Sequence, residues 1–321
     1  MAKAEVSQPE PADLDARLST ARKVRRALRV GRDRPLALAE IDPRSTPELP
    51  DEGREAAGPK AWSRAEVSTL GGPLRTYQER LYANARVGGD RRRVLLVLQA
   101  LDCGGKDGTV RNVLGAMDPL GVQITVFGAP TATELGHHFL WRIHPALPGR
   151  GYLAVFNRSH YEDVLAARVR GLVPEDVWRR RYDEINEFER AEHADGLTII
   201  KVMLHISYDE QRTRLLARLD DPHKRWKFDP GDVADRALWH DYHAAYEEAL
   251  TRCDTAWAPW YVVPADRKWY RNWAVTNIML AHLAELELSY PEPSFDLAAQ
   301  RRALLSAASG DRSGKHLVNN G

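Results

Sequence analysis

Residues 93–111 read RVLLVLQALDCGGKDGTVR, an apolar run that passes straight into two glycines, a lysine and a segment of helical character. The core of that run, VLLVL, has no polar alternation, as expected of a strand covered on both faces in a parallel sheet. After such a strand, Gly104 and Gly105 let the backbone curl so that its N–H groups converge. Lys106 adds a positive charge at that point, and the following helix, which begins through Asp107, Gly108 and Thr109, adds the positive end of its dipole. A glycine-rich turn alone is common; this combination predicts a phosphate-binding loop.

Two departures from G-x-x-x-x-G-K-[ST] set the loop apart. Ala100 stands where the first glycine belongs, and Asp107 replaces the hydroxyl residue that ordinarily holds magnesium. A carboxylate also lies inside the loop, Asp102, and it would repel bound phosphates unless a divalent cation stood between them. Asp102 is therefore the expected metal ligand.

The 321 residues are 43% hydrophobic and 28% charged with a net charge of +1, the composition of a globular protein. No apolar run reaches the roughly 18 residues of a spanning helix, and residues 1–18 lack the apolar centre of a secretory signal. A cytoplasmic protein with no membrane partner is expected. Balanced charge argues against nucleic acid as a partner, while leaving room for a confined basic channel. Cys103 and Cys253 form no metal-ligand spacing. No pair of histidines has zinc spacing either, and His137 and His138 read as part of a half-buried helix.

Residues 1–60, rich in proline, arginine and glutamate, read as a partly disordered arm that Leu36, Leu38, Ile41 and Pro43 could anchor to the body. Residues 61–290 form the expected catalytic domain. Strand-like runs at 122–127, 152–157, 197–206 and 260–263 alternate with helical segments that include 62–84, 135–143 and 174–193. Such alternation predicts an α/β fold with a parallel sheet whose ligands bind beyond the strands' carboxyl ends. Residues 220–256 read as a helical lid and 291–321 as a frayed tail.

Asn157 and Arg158 end the third strand, where a second phosphate- or metal-binding group is expected. The Asn157 amide oxygen can ligate magnesium, and the Arg158 guanidinium can fork onto a phosphoryl oxygen. Glu162 and Asp163 follow within a turn and are further candidates for a metal or a water, unless they merely complement a helix start. Arg214 and Arg218 lie four apart on one helical face, followed by Lys224, Arg225 and Lys227. Exposed charges on a helix are usually a solvated face. This much cation beyond a phosphate loop instead suggests a highly anionic second substrate.

The segments LQALDCGGKDGTVR, FNRSHYEDVL, DDPHKRWKF and APWYVVPADRKWYRN together resemble the polyphosphate kinase 2 family over roughly residues 36–288. The resemblance implies a P-loop kinase-like sheet with helices on both faces and a helical lid. It further implies transfer of a phosphoryl group from inorganic polyphosphate to AMP and ADP, yielding ADP and ATP. Magnesium, replaceable by manganese, would be held by Asp102, with Asn157 and Glu162 as additional ligands. Asp102, Lys106 and Arg158 would be catalytic, and Arg214, Arg218, Lys224, Arg225 and Lys227 would bind the polymer. Asn157 in place of the family's frequent aspartate is similar to the branch accepting both AMP and ADP, and a homodimer or homotetramer is implied. Two alternatives remain open at this point: an ATP-dependent nucleotide kinase, and a polyphosphate-binding module without catalysis.

Overall fold

The computed structural model describes residues 11–31, 36–55 and 58–310. Five strands, β1 (Arg93–Gln99), β2 (Val122–Val126), β3 (Leu153–Asn157), β4 (Leu197–His205) and β5 (Trp260–Pro264), form one parallel sheet in the order β2-β3-β1-β4-β5. β1 is central, with Val94 in register with Leu153 on one side and Thr198 on the other. Its side chains divide between two cores: Val94, Leu96 and Leu98 enter one, Leu95 and Val97 the other. That division is why every position of VLLVL must be apolar.

The first core is closed by helices Pro11–Leu28, Pro59–Gly88, Lys106–Leu114 and Lys268–Ala284, the second by Glu175–Ala194 and Trp239–Arg252. Helices on both faces accompany the parallel strands, as the α/β reading requires. From β1 the sheet extends to β3 and β2 on one side and to β4 and β5 on the other. The connections leaving the carboxyl ends therefore part at β1, which opens a crevice there. The phosphate loop stands in it.

Under the crevice, β4 carries Lys201, whose fully buried ammonium donates to the Glu189 carboxylate, to Tyr161 Oη at 2.9 Å and to the Cys253 carbonyl at 2.7 Å. All three of its N–H donors are engaged, as a buried ammonium requires. His160 joins the same cluster through Nε2, 3.3 Å from Glu189 Oε1.

Four expectations from sequence are corrected. Much of the arm is ordered: in Pro11–Leu28, Leu18, Ala21, Val24 and Leu28 pack into the first core, and the Val30 N–H donates to the Trp260 carbonyl at 2.9 Å. Leu38 is fully buried and Leu36 and Ile41 partly so; the arm's first ten residues lie outside those described. Interspersed arginines mask this helical spacing in the sequence. The helix expected over 135–143 is only Ala132–Leu135, closed by a Thr131–Glu134 capping box and stopped at Gly136, so His137 and His138 are exposed outside it. Within the expected lid, Trp239–Arg252 buries Tyr242, Ala245, Tyr246, Ala249 and Leu250 and is part of the body. The expected frayed tail contains helix Leu297–Gly310, with Leu297, Leu304 and Leu305 exposed; residues 311–321 lie outside those described. Among the described residues no helix is long and apolar enough to cross a membrane.

Candidate active site

Beyond β1 the chain turns through left-handed backbone at Cys103 (φ 63°) and Gly105 (φ 107°) into helix Lys106–Leu114. The early N–H groups of that helix have no intrahelical acceptor and mark the anion site. Ala100 has a steric counterpart in Gly104: a Cβ at 104 would stand 2.5 Å from the Ala100 methyl. The Leu101 carbonyl, 2.9 Å from the same point, also excludes a side chain there, so position 104 must be glycine. Lys106 Nζ donates to the Ala100 carbonyl at 2.8 Å. Burial lowers its pKa, and the nearby Asp102 charge works in the opposite direction.

Arg158 also has a left-handed backbone (φ 62°), and its Nη2 donates to Asp102 Oδ1 at 2.9 Å. Burial disfavours the Arg158 charge, but Glu162 and Asp102 outweigh it and raise the pKa above the ordinary arginine value. Burial raises the pKa of Glu162 against the pull of Arg158 and Lys106. Asn157, buried at the end of β3, donates through Nδ2 to Asp107 Oδ1 at 2.9 Å, while Lys227 Nζ reaches Asp107 Oδ2 at 3.3 Å. Burial alone would raise the Asp107 pKa; these two donors lower it instead. The residue that replaced the usual hydroxyl thus ties the loop helix both to the sheet and to the segment beyond Asp220.

Two cavities meet here. A cleft of about 580 Å³ is lined by Lys106, Asp107, Gly108, Arg218, Lys224 and Lys227, and a pocket of about 400 Å³ by Arg142, Glu162, Arg170, Trp239, Tyr242 and Tyr246. Asp102, Gly128 and Arg158 line both. One cavity is a basic cleft, a character suited to an anion. The other has an aromatic wall beside charged groups, a character suited to a nucleotide.

A hard divalent cation fits the donors present. The Asp102 carboxylate accepts from Arg158 through Oδ1, and Asn157 and Glu162 line the adjoining cavities, but no group of three His, Cys, Asp or Glu gathers for a metal among the described residues. This sparse set suits a divalent ion that takes only part of its ligands from the protein.

Several expected site residues have other roles in the structure. Arg214 is buried, with Nε on Glu210, Nη1 on the Cys103 carbonyl at 2.9 Å and Nη2 on the carbonyls of Ala265 and Asp266. It braces the loop against the end of β5 and lines the cleft with its position fixed by these bonds. Arg225 donates to the Leu219 carbonyl and is absent from the cleft wall. Arg218 reaches the cleft while also holding Asp232 and the Lys227 carbonyl, each at 3.1 Å. Thr109 is buried and donates to the Gly105 carbonyl. Asp163 lines the same pocket as Glu162, with Oδ1 and its carbonyl held by Arg181.

Arg271 was not picked out by the sequence reading. It is buried in Lys268–Ala284 against Gly105, with its pKa pushed down to about 9 by burial and then by Arg214. Its only sequence signal was the KWYRN segment, quoted above for family likeness without a role. Gln99 was also missed: with its amide oriented to satisfy both neighbours, it donates to Glu162 at 3.0 Å and accepts from Ser159.

The polyphosphate kinase 2 (PPK2) family matches residues 60–290. An AMP/ADP-polyphosphate phosphotransferase of Meiothermus ruber is 49% identical over 244 residues, covering 76% of this chain and 90% of the relative. An ADP-polyphosphate phosphotransferase of Rhodopseudomonas palustris is 43% identical over 244 residues, covering 72% of this chain and 82% of the relative. Among solved structures, polyphosphate kinase 2 from Arthrobacter aurescens TC1 superposes with a TM-score of 0.84 at 46% identity, covering 89% of this chain and 98% of that one. The chain belongs to the polyphosphate kinase 2 family.

Proposed function

We propose that this enzyme transfers the terminal phosphoryl group of inorganic polyphosphate to AMP and ADP, forming ADP and ATP and running in reverse when ATP is abundant. The observation that carries this reading is the junction at Asp102 and Arg158, where the basic cleft and the aromatic-walled pocket share a wall. Donor phosphates would lie in the cleft along the loop, and the acceptor would place its base and ribose by Trp239, Tyr242 and Tyr246. A terminal phosphate oxygen of the acceptor then attacks the end phosphorus of the polymer in line. The new P–O bond forms as the bond to the rest of the chain breaks, and the electron pair leaves on a polymer one unit shorter.

Lys106 and Arg158 offset charge on the transferred group and its leaving oxygen, and Asp107 keeps the loop helix registered to Asn157 and Lys227. Asp102, with Asn157 and Glu162 behind it, would hold a divalent ion, magnesium in the first instance and manganese as a substitute. When bound, that ion neutralises phosphate charge and aligns the two substrates. Closure of residues 221–238 over the cleft would exclude water and protect the donor from hydrolysis. A homodimer or homotetramer belongs to the same proposal and is read out by light scattering.

The test is a luciferase-coupled or chromatographic assay supplying polyphosphate and magnesium with AMP or ADP and no ATP. Stoichiometric formation of ADP or ATP is expected. Phosphorylation of AMP that requires ATP and ignores polyphosphate would establish the rival nucleotide kinase. Binding of polyphosphate without turnover would establish a non-catalytic module.

A further inference from the structure

A groove of about 1040 Å³ runs away from the phosphate loop, between helices Pro59–Gly88 and Lys106–Leu114 and the start of Lys268–Ala284. Its walls carry Lys60, Arg64, Arg75, Arg111, Lys268 and Arg271 against a single carboxylate, Glu79. It is continuous with the phosphate cleft, since Gly108, Arg111, Lys268 and Arg271 line both. Lys60, Arg64, Arg111 and Lys268 are exposed, and none is paired with a carboxylate among the described residues. Burial lowers the pKa of Lys268, and the Arg214 and Arg271 charges push it further the same way. Unpaired like charges along one groove repel one another, and a bound polyanion relieves that repulsion.

We infer that this groove is a second binding track that holds the distal part of a long polyphosphate chain whose reacting end lies at the loop. The groove starts at the loop helix and shares no lining residue with the aromatic-walled pocket, so the polymer can lie in it without crossing the acceptor. A single aromatic side chain, Trp269, lines it. A nucleic-acid strand calls for successive stacking platforms, whereas a chain of phosphates needs only cations. The inference rests on the polyphosphate reading above and adds that chain length is sensed by Lys60 and Arg64, well away from the chemistry.

The experiment compares donors of about six and about one hundred phosphates on the wild type and on the double variant Lys60→Glu/Arg64→Glu, with Lys60→Gln/Arg64→Gln as a milder pair. Circular dichroism and thermal unfolding confirm that each is folded. The expected result is a rise in KM for the long donor of about tenfold in the charge-reversed pair and less in the neutral pair, with KM for the short donor and for ADP changed less than about twofold. Equal KM changes for both donors, or none for either, would overturn the track while leaving the proposed reaction standing. A labelled oligonucleotide that binds the wild type and is lost by the double variant, with unaltered polyphosphate kinetics, would also overturn it. A wild type that cannot use polyphosphate at all would instead refute the reaction itself.

Discussion

The guanidinium of Arg271 occupies the space a side chain on Gly105 would need: a Cβ built there overlaps Nη1. Gly105 also has φ 107°, a left-handed conformation that disfavours any other residue. Residues 166 positions apart, 271 less 105, thus share one site at the glycine loop.

Gly105→Ala should therefore cause both backbone strain and displacement of Arg271. We expect a loss of about 1–3 kcal/mol in unfolding free energy and a fall in kcat larger than the stability loss explains. Urea titration beside steady-state kinetics checks this, and a variant with wild-type kcat would show that Arg271 can move without consequence.

Lys106→Ala removes a buried ammonium whose present acceptor is the loop's own Ala100 carbonyl. Turnover should fall by about 10²–10³-fold with the fold intact, in the range seen when a preorganised electrostatic group is lost. The check is kcat under saturating donor alongside a circular dichroism spectrum.

Asp102→Asn preserves an acceptor for Arg158 Nη2 but removes the charge. The magnesium concentration for half-maximal activity should rise by about tenfold or more, together with a lower kcat. A variant with normal metal titration would remove Asp102 from the ligand set.

Lys201→Met should be severely destabilising, because Glu189 would be left as an uncompensated charge in a site where both side chains are fully buried. A cost of about 3–5 kcal/mol is expected, with much of it recovered in Lys201→Met/Glu189→Leu. Denaturant midpoints of the three proteins measure it.

The pH response follows from His243 and His282. Burial lowers the pKa of each from 6.5 to about 4, with neighbouring positive groups adding to the effect. The unfolded chain therefore binds more protons between pH 6.5 and 4, and stability present above pH 6.5 is lost as the pH falls through that window. His282 Nε2 lies 2.8 Å from Tyr261 Oη, within hydrogen-bond distance of a neutral ring. His282→Phe should be less stable at pH 7 yet lose less between pH 6.5 and 4, measured as urea midpoints across that range.

Much of the fold was legible because its signals are local. A strand buried on both faces must be apolar at each position, so VLLVL could be read directly, its four companions were legible as short apolar-rich runs between helical segments, and Gly104, Gly105 and Lys106 announced the loop. The helix Pro11–Leu28 was hidden because its apolar positions are diluted by exposed arginines and acquire meaning only against Lys268–Ala284. Of the site, Asp102, Lys106, Asn157 and Arg158 lie next to strand ends, where proximity along the chain implies proximity in space.

By itself the sequence determined the parallel sheet, the phosphate loop with its internal carboxylate and the family, since each depends on neighbouring residues and backbone chemistry. Tertiary structure alone decided which cations line the cleft at the loop. Arg214, expected as a clamp, is buried and braces the loop while lining the cleft, and Arg271, without a signal of its own, packs against Gly105; Lys60, at the end of the expected arm, and Arg64, in an expected helix, line a groove. The physical reason is that a charge acts through space: its role depends on which backbone carbonyls reach it first, and that is settled only when distant segments pack.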